Sequence, residues 1–197
     1  MKLLIIACSL NPDSRSTVLA SRLAQLAEGA EAAPLSSDGG APPTQLETEL
    51  FDLRHRPLPV CDGVSAYGDP NARALAEAGQ QADAVLLTTP VYNYDVNAAA
   101  KNAVELAGRN WSGKPVGFAC AAGGKSSYMS VMGLANSLML DFRCHIVPRF
   151  VYATADDFGD AGTPLPALDQ RLGELLSATT RLALGLRLTD QAVPSPA

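Results

Sequence analysis

Five short apolar runs alternate with segments of helical periodicity along this chain, and this alternation is the feature that most limits its fold. The first run, Lys2–Ala7, is followed over residues 15–29 by apolar residues spaced three and four apart, as on an amphipathic helix. Nearly continuous apolar strands are typical of parallel sheets covered by helices on both faces. Because no internal repeat accompanies the alternation, we predict a single doubly wound α/β sheet of five parallel strands.

The later elements are predicted from the same two patterns. Further strands are predicted at residues 47–53, 84–89, 115–121 and 144–152, and further helices at residues 70–81, 95–107, 126–140 and 165–186. Pro90 is expected to end the third strand because it has no N–H group. Residues 29–44, rich in Ala, Gly, Ser and Pro, are expected to form a surface connection. Residues 1–187 are predicted to form one domain, and residues 188–197 a C-terminal tail.

Composition limits the function classes. The chain has 197 residues, which is enough to bury a core, and a formal net charge of -5 that disfavours nucleic acid as a partner. Its four cysteines lie far apart and form no Cys-x-x-Cys pair, so we predict no metal or iron–sulfur site. The short apolar start is predicted to be a buried strand, and no run approaches the roughly 20 apolar residues that span a bilayer. We therefore expect a soluble cytoplasmic protein without a membrane partner.

The loop after the first strand is rich in hydroxyl groups and leads directly into a helix. Free backbone N–H groups and the positive end of the helix dipole bind anions at such a turn. Side chains that add donors and charge to this loop are Ser9, Ser14, Arg15, Ser16 and Thr17. We predict a phosphate site here; the alternative is that Ser14 or Ser16 only caps the helix.

Two nucleotide-binding fingerprints fail in this chain. The first loop contains no Gly-x-Gly-x-x-Gly, so it does not predict a dinucleotide pyrophosphate site. The tripeptide Gly124-Lys125-Ser126 resembles the end of a P-loop, but Ala119 stands where the earlier glycine is required. A Gly-x-Ser-x-Gly elbow is also missing, which argues against a serine hydrolase.

The loops after the third and fourth strands have the composition of a site for a flat ring. After the third strand come Pro90, Val91, Tyr92, Asn93 and Tyr94, whose two tyrosines place hydrogen-bonding rings at the mouth of the crevice. After the fourth strand come Ala122, Gly123, Gly124 and Ser126, where small residues let the backbone approach a heterocycle. The alternatives are ordinary loop cover for the tyrosines and a tight turn capped by Ser126.

In a sheet of strand order 2-1-3-4-5, as in the flavodoxin-like fold, the loops after the first, third and fourth strands meet where the strand order reverses. Ligands of doubly wound sheets bind at that place. One loop suits a phosphate and two suit a planar ring, so together they predict an FMN site.

These motifs resemble those of the NAD(P)H-dependent FMN reductase family. The resemblance extends from Met1 to about Arg187, and its segments are Ser9-Leu10, Ser14-Arg15-Ser16, residues 89–94, Lys101-Asn102, residues 113–116 and residues 122–124. The central segment is the most specific. Many members carry Arg directly after the Ser-Leu pair, where this chain has Asn11, and Arg15 is expected to supply that charge.

The resemblance also implies roles for individual residues. It implies that the FMN phosphate is held by Ser9, Ser14, Arg15 and Ser16. It implies that the ribityl chain and ring are lined by Pro90, Val91, Tyr92 and Asn93. It implies that the isoalloxazine edge is met by Gly123, Gly124 and Ser126.

An activity follows from the same resemblance. It implies hydride transfer from NADPH or NADH to FMN, and then transfer of electrons to a quinone, azo, metal or flavin acceptor, in a homodimer or homotetramer. No catalytic side chain is predicted, because the flavin carries the chemistry. The alternative is a flavodoxin-like electron carrier that holds FMN without nicotinamide activity.

Overall fold

The computed structural model describes residues 1–32 and 44–192. Its strands are β1 (Lys2–Ala7), β2 (Glu31–Ala32), β3 (Thr44–Gln45), β4 (Glu47–Asp52), β5 (Ala84–Tyr92), β6 (Asp95–Val96), β7 (Pro115–Ala121), β8 (His145–Ile146) and β9 (Val151–Ala153). Its α-helices are α1 (Arg15–Ala27), α2 (Pro70–Gln81), α3 (Ala98–Ala107), α4 (Met132–Phe142) and α5 (Pro166–Ala192).

The main sheet has the order β4-β1-β5-β7-β8, and these neighbours are parallel. Strand β9 also runs parallel to β7, beyond the short β8. Counted as five strands along the chain, this is the predicted order 2-1-3-4-5. The order places the carboxyl ends of β1, β5 and β7 next to one another at one edge of the sheet.

Helices cover both faces of the sheet, as predicted. Alternate residues of β1 point to opposite sides: Leu4 and Ile6 pack in the core beneath α2, α3 and α4, whereas Leu3 and Ile5 pack beneath α1 and α5. Helix α5 packs closely against β7 at Gly117. A Cβ atom there would lie 3.0 Å from Leu175 and Thr179 of α5 and 2.7 Å from Cδ2 of Leu86 on β5, so these side chains would have to shift.

Strand β5 does not end at Pro90, which corrects that prediction. Thr88 faces β1 and accepts a hydrogen bond from the Cys8 N–H at 2.9 Å. Pro90, two residues further on, faces the same side, but β1 has ended there. Its missing N–H group therefore removes no bond between strands, and β5 continues to Tyr92.

Several other predicted boundaries differ from the structure. The helix predicted from residue 95 begins at Ala98, and the one predicted from residue 126 begins at Met132. The predicted strand 144–152 is divided into β8 and β9, with Pro148 between them. Helix α5 extends to Ala192 and so includes residues 188–192 of the predicted tail.

The connection predicted at residues 29–44 is described only at its two ends, where β2 and β3 pair antiparallel. Residues 33–43 of that prediction lie outside the described residues. Within the described ranges, no helix combines the length and the apolar character needed to cross a bilayer.

Candidate functional site

The structure brings the three predicted loops together at the carboxyl edge of the sheet. The link between the first two is Asn97, whose side-chain nitrogen donates to the Cys8 carbonyl at 2.8 Å and whose side-chain oxygen accepts from the Thr89 hydroxyl at 2.9 Å. The third loop follows β7, whose Ala121 pairs with Pro90 of β5. Candidate residues from all three loops therefore follow neighbouring strands at one edge of the sheet, where we expect them to surround a ligand crevice.

In the first loop, the predicted serines point inward. Ser9 and Ser16 are fully buried, and the Ser14 hydroxyl lies 2.9 Å from the Ser16 hydroxyl. Ser14 also accepts a hydrogen bond from the Ser16 N–H at 3.3 Å, so it is the N-cap of α1. A cap does not prevent the first N–H groups of α1 from meeting an anion, so the phosphate site at this loop stays a prediction.

Thr17 and Arg15 differ in their surroundings. The Thr17 hydroxyl oxygen is buried and has no hydrogen-bond partner among the described residues. A buried polar atom without a partner is costly, which favours a ligand group beside it. Arg15 is exposed, and its guanidinium carbon lies 5.8 Å from the centre of the Phe158 ring.

A second cation lies at the first loop, and the sequence analysis did not identify it. Arg54 donates to the Pro12 carbonyl at 3.2 Å and to both carboxylate oxygens of Asp52, two residues before it. Partial burial opposes ionisation of Asp52, but hydrogen bonds from Arg54 outweigh it and lower the pKa of this carboxyl. An Asp-x-Arg pattern at the end of a predicted strand is the sequence signal that could have pointed to Arg54.

The second loop is a tight hairpin between β5 and β6. Tyr92 pairs with Asp95, and the two residues between them, Asn93 and Tyr94, both have positive φ angles, 52° and 61°. Two central residues of positive φ define a type I′ turn, which normally carries Asn-Gly. A tyrosine in this conformation is uncommon, and such backbone strain clusters at functional sites.

The rings of this hairpin are available to a ligand. Tyr92 is 51% exposed and Tyr94 is 69% exposed, whereas Pro90 is buried. Val91 is half-buried and packs against the core. The arrangement leaves flat aromatic surface exposed at the carboxyl end of β5, and its contact with a ligand ring stays a prediction.

Asn97 is the main residue of the site that sequence reasoning missed. It is 6% exposed, caps α3 by accepting from the Ala100 N–H at 3.3 Å, and connects the ends of β1 and β5. The cap could have been identified from an asparagine before an alanine-rich helix. The bond to Cys8 could not, because that residue lies 89 positions away.

The third loop has an open backbone. Ala122 is buried and donates to the Ala153 carbonyl at 2.8 Å, while Gly123 and Gly124 are exposed. A Cβ atom on either glycine would meet nothing within 4 Å, and neither has a positive φ. Packing within the described chain therefore does not require glycine at these two positions, and neither does backbone strain. The space above them is open, and a ligand could approach the backbone there.

Ser126 lies in a short 3-10 turn, Lys125–Ser127, and is exposed. Because α4 begins six residues later, Ser126 is not the cap of that helix, and that alternative is wrong. The loop therefore presents a backbone turn and a hydroxyl at the edge of the crevice.

The cysteines near the site, Cys8 and Cys120, are buried free thiols. Burial raises the pKa of Cys120 to about 12 and also raises the pKa of Cys8, with a smaller contribution from the neighbouring Cys120. Both thiols therefore stay protonated at neutral pH and lack the reactivity of thiolates.

The residues at this edge fit FMN. The unpartnered Thr17 hydroxyl and the N-terminus of α1 suit the phosphate, and the open space above Gly123 and Gly124 suits a ring edge. Among the described residues, no group of His, Cys, Asp or Glu has the arrangement of a metal site.

Comparison with known proteins identifies the family. The family described as NADPH-dependent FMN reductase matches residues 1–158. The chain belongs to this family. Members are flavin oxidoreductases, so the chain is an oxidoreductase with FMN as its cofactor and NAD(P)H as its co-substrate, as the resemblance implied.

Individual relatives agree with the family. The chain is 35% identical over 144 residues to an NAD(P)H-dependent FMN reductase of Pseudomonas aeruginosa, a match that covers 70% of this chain and 76% of that protein. It is 28% identical over 109 residues to an NADPH azoreductase of a Bacillus species, covering 54% of this chain and 61% of that enzyme, less than two thirds of its length.

The fold is also similar to that of a solved flavoenzyme. The flavoenzyme NAD(P)H:acceptor oxidoreductase of Paracoccus denitrificans superimposes with a TM-score of 0.71 at 24% identity, covering 93% of this chain and 97% of that one. The flavodoxin-like α/β fold predicted from the sequence is thereby confirmed.

Proposed function

We propose that this chain holds FMN in the crevice between its first, third and fourth strand loops and uses NADH or NADPH to reduce an acceptor of the quinone, azo, metal or flavin class. Bound there, FMN would supply the hydride and electron chemistry between the nicotinamide and the acceptor. The observation that carries the proposal is the convergence of an anion-binding helix N-terminus and an open glycine turn at one edge of the sheet.

The first loop would hold the phosphate. N–H groups at the start of α1, the hydroxyls of Ser9, Ser14 and Ser16, and the unpartnered Thr17 hydroxyl are the donors. Arg15 is the nearest exposed cation on this helix, and Arg54 adds a second positive charge on the β4 side, partly neutralised by Asp52.

The second and third loops would hold the ring. Pro90 and Val91 form the floor, and the residues that would flank the ribityl chain and ring are Tyr92, Asn93 and Tyr94. Ala122, Gly123, Gly124 and Ser126 would supply backbone and hydroxyl groups to the polar edge of the heterocycle. The protein's task is then to orient the ring and leave one face open to the nicotinamide, so we assign no catalytic side chain.

A relative supports one class of electron acceptor, and the cysteines support one cellular compartment. The azoreductase relative favours an azo compound among the acceptors. The four free cysteines and the dependence on a nicotinamide co-substrate favour the cytoplasm.

We also propose that the protein is a homodimer or homotetramer. Exposed large apolar side chains are concentrated around α4 and the segment before α2, and they are Met129, Met132, Met139, Leu140, Val60 and Val64. On the α5 side, by contrast, the exposed large apolar residues are Leu165 and Leu188. A concentration of apolar surface on one side is typical of a protein interface.

Two experiments, a flavin titration followed by a turnover assay, test the proposed function. Apoprotein is titrated with FMN and with riboflavin, and the loaded protein is then assayed with NADH and NADPH against a quinone, an azo dye, a metal oxyanion and free FMN. We expect FMN to bind more tightly than riboflavin and at least one nicotinamide to support turnover. A protein that takes up no FMN contradicts the proposal, and one that binds FMN but reacts with neither nicotinamide is an electron carrier instead.

A further inference from the structure

A side-chain hydrogen bond joins Gly124, in the loop after β7, to the neighbouring strand β9. The Tyr152 hydroxyl, on β9, donates to the Gly124 carbonyl at 2.6 Å. Tyr152 is buried, whereas Gly124 is exposed and extended, with φ -163° and ψ 179°. Gly123 and Gly124, which form the glycine turn, have no side chains that could pack it in place. The hydrogen bond from Tyr152 therefore strongly restrains the orientation of the peptide groups in this turn.

Tyr152 is itself held from α5. Arg171 donates to the Tyr152 carbonyl at 3.0 Å and pairs with the Asp157 carboxylate. The same carboxylate accepts from the Thr154 N–H at 2.7 Å, which fixes the chain directly after β9. The tyrosine hydroxyl is therefore presented to the glycine turn from a rigid support that does not belong to the three candidate loops.

Aromatic packing attaches the other end of the same loop to this support. The Tyr128 ring lies 5.6 Å from the Tyr152 ring in an edge-on arrangement and 5.0 Å from the Phe150 ring. Tyr152 therefore touches both the start and the end of the segment between Gly124 and Tyr128. Its ring accounts for packing, whereas its hydroxyl acts only on the Gly124 peptide.

We propose that Tyr152 is a positioning residue for the flavin, acting through the Gly124–Lys125 peptide; this inference rests on the proposed function. A hydrogen bond accepted at the Gly124 carbonyl fixes the plane of that peptide and polarises it, which makes the Lys125 N–H a stronger donor. Lys125 begins the 3-10 turn, so its N–H has no partner within that turn. Tyr152 thereby controls both the direction and the strength of backbone donors at the ring edge.

Tyr152→Phe tests the proposal because it keeps the ring and removes the hydroxyl. The matched control is Tyr67→Phe, which also removes a hydroxyl, one that lies 3.7 Å from the Cys61 sulfur and away from the candidate loops. We expect Tyr152→Phe to raise the Kd for FMN about 3- to 10-fold, the effect of losing one hydrogen bond. It should also shift the midpoint potential and the visible absorption band of bound FMN, whereas Tyr67→Phe should change none of these.

A second measurement needs no flavin. Hydrogen–deuterium exchange on the apoprotein should be faster over residues 122–127 in Tyr152→Phe than in the wild type, with exchange in β7 unchanged. The positioning role is overturned if Tyr152→Phe equals the wild type in hydrogen exchange, in the Kd for FMN and in the absorption band of bound FMN. It is also overturned if Tyr67→Phe changes these quantities by the same amount. Wild-type protein that binds no FMN overturns the proposed function instead, while the exchange experiment still decides whether Tyr152 orders the turn.

Discussion

The side-chain nitrogen of Asn97 donates a hydrogen bond to the backbone oxygen of Cys8 at 2.8 Å, which ties the start of α3 to the end of β1. The oxygen of the same amide accepts from the Thr89 hydroxyl at 2.9 Å, at the end of β5. Because all three groups are buried, one amide sets the relative position of two of the loops that form the crevice.

Asn97→Ala should destabilise the fold. It removes the cap of α3, worth about 1 kcal/mol, and takes from the buried Cys8 carbonyl the side-chain donor of Asn97, at about 1–3 kcal/mol. We therefore expect the free energy of unfolding, measured in urea, to fall by about 2–4 kcal/mol. The control is Gln80→Ala on the exposed side of α2, and equal losses in the two variants would contradict the role of Asn97.

Replacing Ser14 and Arg15 together by alanine should weaken FMN far more than riboflavin. Only FMN carries a phosphate, and both residues lie at the start of α1, where we propose that the phosphate binds. Isothermal titration of the apoprotein with each flavin measures the difference. Equal losses of affinity for the two flavins would remove the phosphate site from the first loop.

The same double variant needs a stability control, because Ser14 is the N-cap of α1. Asp69 has that function in α2, where its carboxylate accepts from the Asn71 and Ala72 N–H groups at 2.8 and 3.1 Å. Asp69→Ala should cost about 1 kcal/mol, like the loss of Ser14, and leave FMN affinity unchanged. If it weakens FMN equally, the effect of the double variant is one of stability.

The fold and the three loops were predictable because they depend on short-range signals. Continuous apolar runs such as Lys2–Ala7 identify buried parallel strands, and strand order then determines which loops meet. Hydroxyl, aromatic and glycine residues directly after those strands are the basis of the predicted site, and their contacts with a cofactor stay a prediction. All three predicted loops lie at the predicted edge.

The remaining features depend on contacts between distant residues. Pro90 stays within β5 only because β1 ends earlier, and the chain around Pro90 gives no sign of that. Tyr152 is 28 positions from Gly124, and Arg54 is 42 positions from the Pro12 carbonyl. Their side chains act through backbone atoms, which carry no sequence signal of their own.

Asp52 should make stability depend on acid pH. Its folded pKa lies below the unfolded value of about 3.9, so the unfolded state binds more protons at low pH. The stabilisation from ionised Asp52 is therefore present above about pH 4 and is lost as the pH falls through the folded pKa. In Asp52→Asn, the free energy of unfolding should be lower at neutral pH and should fall less on acidification. Parallel pH curves for the two proteins would contradict this.

Met139→Glu should convert an oligomer into monomers. Met139 lies on the apolar surface of α4 and is 39% exposed, as is Leu188 on α5. Leu188→Glu is thus a matched control that should leave the oligomer intact. Light scattering during size-exclusion chromatography gives the mass of each, and a wild-type protein that is monomeric at every concentration would contradict the proposed assembly.

The central claim is that this crevice holds a flavin that a nicotinamide can reduce. Its most direct test is to load the purified protein with FMN, add NADPH or NADH without oxygen, and follow the visible flavin absorption by stopped flow. We predict that the yellow band bleaches with at least one nicotinamide, and faster than for free FMN under the same conditions. A yellow protein that keeps its colour with both, or a protein that takes up no FMN, would contradict the account.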